Sequence, residues 1–122
     1  PNTATEMTSN SDWDASGTNP EAFYLTHQSG DATSMENVRV IVRDTDGAPV
    51  ADMDPSNDWT DGNTKLKIGT TSGSGLGSNE FGAGTTIVIE DTGNLSASTE
   101  YTVQLIHIPS ETTVSEHTEA TA

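Results

Sequence analysis

Short stretches in which apolar and polar residues alternate recur along this chain, and a period of two residues is typical of β-strands with one buried face. The clearest stretch spans residues 36–44, where Val38, Val40 and Val42 line one face. Further runs of this kind occupy residues 3–8, 21–27, 65–69 and 85–90. No window keeps a helical period long enough to form a helix. The pattern therefore predicts an all-β protein.

Residues 100–118 contain the longest β signal, two alternating runs that meet at Pro109-Ser110-Glu111. Proline has no amide proton for a strand ladder, so we expect the first strand to end there and a hairpin loop to begin. A loop symmetric about Ser110-Glu111 would pair Leu105 with Glu116. A lone hairpin is not stable in water, so the other runs must supply the sheet on which it packs.

This register divides the hairpin into a core face and an outer face. Tyr101, Val103 and Leu105 share the face that we assign to the core. The residues expected to form the centre of the core are Val38, Val40, Val42, Ile87, Ile89, Val103 and Leu105. Ile106 and Ile108 fall on the opposite face, and two large apolar residues there predict a contact surface that assembly would hide. The alternatives are that the core face is the other one or that a loop covers the two isoleucines.

The turn signals complete the prediction of the fold class. Gly, Asp, Asn and Ser cluster between the strands at short intervals, and a Gly/Ser-rich segment at residues 70–84 has too little side-chain bulk to pack densely. About seven short strands separated in this way predict an immunoglobulin-like antiparallel β-sandwich with a Greek-key topology. We expect a single domain over residues 1–122, with a jelly roll as the nearest alternative.

Charge narrows the possible functions more than any motif does. Nineteen acidic residues face only four basic ones, for a net charge of −15. Nucleic-acid binding requires phosphate neutralisation by Lys and Arg, and an anionic membrane would repel this chain. A dense acidic surface is typical of a protein that works in concentrated salt, which predicts a halophilic source. The alternative is an ordinary acidic extracellular domain, and the absence of cysteine leaves the redox compartment open.

One acidic loop offers candidate metal ligands. The loop supplies Asp52, Asp54, Asp58 and Asp61, and its Asp-x-Asp-x-Ser-x-Asp run at residues 52–58 resembles the start of a calcium loop, since hard cations prefer several clustered oxygen ligands. The sixth and twelfth positions, however, hold asparagine where the motif has glycine and glutamate. The four aspartates are therefore weak candidates for a cation site.

The remaining chemistry predicts no enzyme and no cofactor, because no nucleophile elbow, phosphate loop or catalytic triad is recognisable. His27, His107 and His117 would have to converge to bind zinc. The predicted register places His107 and His117 on opposite faces, so we interpret the three as solvated strand histidines. Trp13 and Trp59 lie in loops, where they either stack sugars or anchor the loop.

The sequence Asn94-Leu95-Ser96 is the only acceptor motif for N-glycosylation. It follows a predicted turn, where a glycan would be accessible. Asn94 is therefore a candidate glycosylation site.

Four stretches carry a resemblance to a known family. They are the start Pro1-Asn2-Thr3-Ala4, the strand ending in Thr-His-x-x-Gly-Asp at residues 23–31, the Asn-Val-x-Val-x-Val strand at residues 36–43, and the closing hairpin with its Pro-Ser turn at residues 106–122. Together they resemble the soluble domain of a type IV pilin from a halophilic archaeon.

The resemblance implies a structural subunit of an extracellular cell-surface filament that mediates adhesion to cells or abiotic surfaces. Its partners would be other pilin subunits, joined through an apolar N-terminal helix that anchors the precursor in the membrane before assembly. We expect that helix to precede Pro1, and without it we expect the isolated domain to be a monomer. An archaellin and an S-layer-binding archaellum accessory domain are alternatives within this class. The alternative of another class is a calcium- or carbohydrate-binding module of a secreted protein, which would use Trp59 and the acidic loop.

The charge excess predicts that stability depends on salt. Repulsion among fifteen uncompensated negative charges opposes compaction in dilute buffer, and molar salt screens it. Thermal melts should therefore show a midpoint that rises from low salt to molar KCl. A midpoint that does not move would remove the basis for a halophilic source.

Overall fold

The computed structural model describes the whole chain from Pro1 to Ala122, which is built from strands and turns with three short 3-10 helices. The strands are β1 Thr3–Ser9, β2 Glu21–Gly30, β3 Thr33–Ser34, β4 Val38–Arg43, β5 Pro49–Met53, β6 Thr60–Asp61, β7 Thr64–Ile68, β8 Thr71–Ser72, β9 Glu80–Phe81, β10 Thr86–Asp91, β11 Glu100–His107 and β12 Thr112–Ala120. The 3-10 helices are Met35–Asn37, Pro55–Asn57 and Gly73–Ser78.

Two antiparallel sheets form the domain. One has the order β1-β2-β10-β7-β6, with β8 also paired to β7, and the other has the order β12-β11-β4-β5. The first sheet corresponds to the A-B-E-D sheet of an immunoglobulin-like sandwich, with β1, β2, β10 and β7 in those positions. The second corresponds to its G-F-C-C′ sheet, with β12, β11, β4 and β5 in those positions. The predicted fold class is confirmed, and a small third sheet pairs β3 with β9.

The core lies between the two sheets, as the alternation predicted. All seven residues expected at its centre are buried, and Val40 and Ile87 are fully inaccessible. They belong to a cluster of 21 buried apolar residues drawn from both sheets and from the loops. Ile41 is also buried, but it lies outside that cluster on the outer face of β4.

Two apolar elements were missed by the sequence pattern. Strand β5 lies where the pattern predicted a turn and an acidic loop, and its Met53 is fully buried. The Gly/Ser-rich segment was expected to pack loosely, but its Leu76 and Phe81 both belong to the core. A few large side chains are enough there, because glycines let the backbone turn closely around them.

The register of the closing hairpin differs from the predicted one by one residue. Leu105 lies opposite Ser115 rather than Glu116, and a β-bulge interrupts the ladder between Leu105 and Ile106. The turn spans residues 108–111 and is closed by the Glu111 N–H donating to the Ile108 carbonyl at 3.1 Å. A loop centred one residue earlier shifts the pairing by two residues next to the turn, and the bulge reduces this shift to one, which moves the side chains of residues 115–120 to the other face.

A tyrosine fixes the corner between β10 and β11. The Tyr101 hydroxyl accepts a hydrogen bond from the Ser96 N–H at 2.8 Å, and the ring is buried at the start of β11. The same contact, made by a tyrosine near the start of strand F, marks the corner of immunoglobulin domains. It explains why the chain can cross between sheets here over a short, well-defined path.

Along one side of the sandwich, the outer strands of the two sheets lie against each other. Thr5 of β1 shares a hydrogen bond of 2.7 Å with His117 of β12, and the Ser9 hydroxyl donates to the Ala120 carbonyl. Each strand therefore shields part of the edge of the other.

We expect the two faces of β11 to differ in their sensitivity to truncation. Leu105→Ala should lower the free energy of unfolding by about 2–5 kcal/mol, because it leaves a cavity between the sheets. Ile106→Ala removes a side chain of the same size from the outer face and should have less than half that effect. Urea unfolding in molar KCl measures both, and equal losses would contradict the assignment of the faces.

Candidate functional site

The outer face of the β12-β11-β4-β5 sheet carries the one pair of aliphatic side chains that does not pack in the core. Ile106 and Ile108, which we call the isoleucine patch, are the only Leu, Ile, Val or Met side chains that are neither buried nor packed against the core cluster. Ile108 begins the hairpin turn, where its N–H donates to the Asn37 carbonyl at 2.9 Å. The patch therefore sits on a fixed backbone.

A polar rim surrounds the isoleucine patch. The groove over it measures about 290 Å³ and is lined by Arg39, Asp54, Ile106, Ile108, Glu111 and Thr113. Arg39 is held in place by Asp52, with N–O distances of 2.8 and 2.6 Å. These hydrogen bonds raise the pKa of Arg39 and lower the pKa of Asp52. An apolar centre within a charged rim is the arrangement found in protein–protein contacts.

A second charged cluster covers the outer face of the other sheet. Lys67 contacts Glu21 at 2.6 Å and Glu90 at 3.2 Å, while the Tyr24 hydroxyl donates to Glu21 at 2.8 Å. The hydrogen bond from Lys67, followed by that from Tyr24, lowers the pKa of Glu21. Burial and then the neighbouring Glu21 raise the pKa of Tyr24. The cluster shields Val88, which is nearly buried beneath it.

All four cations of the chain are engaged by acceptors of the protein itself. Lys65 lies 3.8 Å from Glu90, and the Arg43 Nε donates to Gln104 at 2.8 Å. Arg39 and Lys67 make the pairs described above. No cation is therefore without a partner in the protein, although the side chains of Arg39 and Lys65 stay 40% and 46% exposed.

The acidic loop does not gather its carboxylates around one point. Asp54 caps the 3-10 helix Pro55–Asn57, Asp61 accepts from the Asp52 N–H at 2.9 Å, and Asp58 adopts a left-handed conformation at φ 54°. Asp52 itself binds Arg39. No three His, Asp or Glu side chains anywhere in the structure are arranged to hold a metal ion.

Asn94 uses its side chain to join three segments. Its Nδ2 donates to the carbonyls of Val50 at 3.0 Å and Asp61 at 3.1 Å, and its Oδ1 accepts from the Asn63 N–H at 3.1 Å. Glycosylation replaces one proton of Nδ2, so a glycan would have to displace one of these bonds. Modification of Asn94 stays a prediction, and it competes with a structural use of the same atom.

The residue that sequence reasoning missed is Asp91, which lies fully buried at the end of β10. Its carboxylate accepts from the Thr64 hydroxyl at 2.6 Å and from the backbone N–H groups of Gly93, Asn94 and Leu95 at 2.9–3.1 Å. The signal that could have found it is an aspartate that ends an apolar run and opens a Gly-Asn turn, because such side chains bond the next backbone amides.

The end of the motif Thr-His-x-x-Gly-Asp is hydrogen-bonded to the first residues of the chain. Asn2 and Asp31 exchange two hydrogen bonds, from the Asn2 N–H to Oδ2 at 2.9 Å and from the Asp31 N–H to the Asn2 carbonyl at 2.8 Å. The Thr3 hydroxyl donates to the Asp31 carbonyl at 2.8 Å. Gly30, at φ 96°, leaves no space for a side chain, because a Cβ would overlap the Asn2 carbonyl. We call this set of contacts the N-terminal clasp.

His27 lies buried beside the N-terminal clasp and donates a hydrogen bond to it. Its burial corrects the expectation that this histidine is solvated. The ring is 1% exposed, and its Nε2 donates to the Asp31 carbonyl at 2.8 Å. Its centroid lies 5.1 Å from that of Phe81 in an edge-on contact, and Nδ1 is buried without a partner. A β-strand position with an inward side chain explains the burial, since His27 belongs to the core-facing set of β2.

The other two histidines also differ from their predicted placement. His117 lies opposite Val103, and His107 follows Leu105 by two residues, so both lie on the inner face of the hairpin rather than on opposite faces. They are half-buried, and they contact Thr5 and Ser110 respectively. The one-residue change of register is the cause.

Neither tryptophan presents a ring to solvent. Trp13 is 5% exposed and donates its indole N–H to the Asp91 carbonyl at 3.2 Å, whereas Trp59 is 2% exposed and donates to the Val38 carbonyl at 3.0 Å. Both serve as loop anchors, which was the second of the two roles expected for them. In this conformation neither can stack a sugar.

The fold and these sites define an all-β, immunoglobulin-like sandwich with two charge-covered sheet faces, one isoleucine patch and one N-terminal clasp. Comparisons with protein-family models, curated proteins and solved structures find no match to this chain. The structure holds no helix whose length and apolar character would let it cross a membrane.

We expect Asp91 to dominate the stability of the loops. Asp91→Asn keeps the shape, but its amide nitrogen faces N–H groups and cannot accept from them, so the free energy of unfolding should fall by about 2–4 kcal/mol. Asp46→Asn, at an exposed turn, removes the same charge and should change it by less than about 0.5 kcal/mol. Urea melts in molar KCl compare the two, and similar small effects would contradict a central role for Asp91.

Proposed function

We propose that this domain is the globular part of a structural subunit in an extracellular, adhesive filament of a halophilic archaeon, similar to type IV pilins. Its role is assembly and surface contact rather than catalysis. Other subunits of the same filament are its partners, together with the cell or abiotic surfaces to which the filament attaches.

The observation that carries this proposal is the isoleucine patch. Ile106 and Ile108 lie on the outside of a sheet, on a backbone fixed by the contact between Ile108 and Asn37. Both side chains are already half-buried, so a partner that covers the remainder would add a fraction of the roughly 1.5–3 kcal/mol that full burial of each contributes. A subunit that packs against its neighbours provides such burial.

The N-terminal clasp supports the same proposal. Asp31, Gly30 and His27 hold Asn2 and Thr3 against the end of β2 through direct hydrogen bonds and close backbone contact. A segment joined to Asn2 would leave the sandwich from a fixed point and in a fixed direction. Filament subunits that join a globular domain to an assembly helix need a rigid connection of this kind.

The distribution of charge supports a halophilic setting. All four cations are bound by acceptors of the protein, so most of the acidic groups have no protein cation nearby. Concentrated salt outside the cell screens this repulsion, and it weakens electrostatic forces between neighbouring subunits as well. Apolar contacts such as the isoleucine patch remain effective under those conditions.

An archaellin or an archaellum accessory domain would present the same features, and both remain within the proposed class. A calcium- or carbohydrate-binding module has no observation in its favour. Its expected tryptophan, Trp59, is buried, and the carboxylates of Asp52, Asp54 and Asp61 are engaged by protein groups.

The proposal predicts that the isoleucine patch is needed for filaments and not for folding. In the full-length subunit expressed in its host, Ile106→Ser combined with Ile108→Ser should abolish filaments seen by electron microscopy. The melting temperature of the isolated domain should stay within about 4 °C of the unsubstituted domain, since neither side chain packs on the core.

Thr102→Ser combined with Thr118→Ser provides the matched control on the same sheet face, where these two hydroxyls bond each other at 2.8 Å. This pair should leave both filaments and melting unchanged. Normal filaments from the isoleucine variant would overturn the proposal, and a collapsed melt of its isolated domain would show that the patch is part of the folding core.

A further inference from the structure

Strand β5 forms one edge of the β12-β11-β4-β5 sheet, because it pairs with β4 alone. An edge strand presents unpaired N–H and C=O groups to which a strand of another molecule can bind. In β5 these outward groups belong to Val50, Asp52 and Asp54, which alternate along the strand. Each outward group in the stretch from the Val50 carbonyl to the Asp54 N–H has a side-chain partner.

Two side chains from the acidic loop bind the centre of this edge. The Asp52 N–H donates to Asp61 Oδ2 at 2.9 Å, and the Asp52 carbonyl accepts from Asn57 Nδ2 at 2.8 Å. The same Asn57 accepts the Asp54 N–H through Oδ1 at 3.0 Å. One amide thus binds a carbonyl and an N–H two residues apart, as a neighbouring strand would.

Asn94 completes the set from the other end of the edge. Its Nδ2 donates to the Val50 carbonyl at 3.0 Å. The three side chains come from two segments of the chain, and they satisfy two donors and two acceptors of β5. These contacts explain why a loop whose aspartates have calcium-loop spacing holds no carboxylate cluster.

The four capped groups are complementary to themselves. If two copies of β5 are placed antiparallel about Asp52, each Asp52 N–H faces the carbonyl of the other Asp52, and each Asp54 N–H faces the Val50 carbonyl of the other copy. Such a pair would use all four groups of the β5 edge that Asn57, Asp61 and Asn94 now bind. It would also join two sheets into one about a twofold axis.

We propose that Asn57, Asp61 and Asn94 form an edge cap that prevents β5 from pairing with β5 of a second copy. The cap keeps the domain from associating through its sheet edge, and it leaves the sheet face free for specific contacts. Charge opposes the dimer as well, since each copy carries −15 and like charges face each other at Asp52. In molar salt that repulsion is screened, so the edge cap becomes the main barrier there.

Removing two of the three cap residues tests this proposal in the isolated domain. Asn57→Ala combined with Asp61→Ala frees the N–H and carbonyl of Asp52 and the N–H of Asp54, and it keeps Asn94 in its loop. In molar KCl the unsubstituted domain should sediment at its monomer mass of 12.8 kDa at all concentrations. The double variant should shift toward twice that mass as its concentration rises.

Hydrogen exchange followed by NMR identifies the surface that pairs. In the double variant, the Asp52 and Asp54 amides should exchange rapidly in dilute solution and slowly in concentrated solution. Asn19→Ala combined with Asp46→Ala removes the same side-chain types and the same charge away from the edge, and it should stay monomeric with protected edge amides.

A double variant that is folded, as judged by circular dichroism, and monomeric throughout would overturn the proposal. So would self-association that leaves the Asp52 amide in rapid exchange. If the double variant does not fold, sedimentation and amide hydrogen exchange of the single Asp61→Ala variant test the proposal instead. It frees the Asp52 N–H and should dimerise more weakly.

Discussion

A buried carboxylate connects the parts of this domain that strand pairing leaves separate. Asp91 accepts hydrogen bonds from Thr64 and from three consecutive backbone amides, while its own carbonyl receives the indole of Trp13 and its N–H donates to Pro20. A charged group can be buried only when it is bonded in this way. The turn it builds presents Asn94, which then reaches β5 of the opposite sheet. Asp91 therefore contributes to the relative positions of the two sheets at this end, together with the bond from the Asp52 N–H of β5 to Asp61 of β6.

The surface reflects a shortage of cations. With four Lys and Arg residues for nineteen acids, each cation covers part of an outer sheet face and holds a neighbouring acceptor in place. Arg39 and Arg43 lie on β4, and Lys65 and Lys67 lie on β7. The rest of the acidic surface has no protein partner, so solvent ions must provide the compensation.

The edges and faces of the sandwich differ in what they offer a neighbour. Strands β1 and β12 shield each other, and the outward groups of β5 are bound by side chains from the acidic loop and from the turn after β10. The half-buried isoleucine patch is the apolar surface left outside the core cluster, next to an arginine that Asp52 holds in position. Assembly through a sheet face and not through a sheet edge gives a defined contact, whereas open edges pair with little specificity.

The amino-acid sequence by itself determined the all-β class, the core of β4, β10 and β11, and the face on which Ile106 and Ile108 lie, because alternation of apolar residues is a local property of each strand. It also determined the acidic surface. Tertiary structure decided the rest. The hairpin register depends on a turn and a bulge that shift pairing by one residue, and strand β5 is specified by its neighbour β4 rather than by its own short apolar pattern. The burial of His27, both tryptophans and Asp91, and the use of the acidic loop as an edge cap, arise from contacts between residues distant in the chain, which no local pattern encodes.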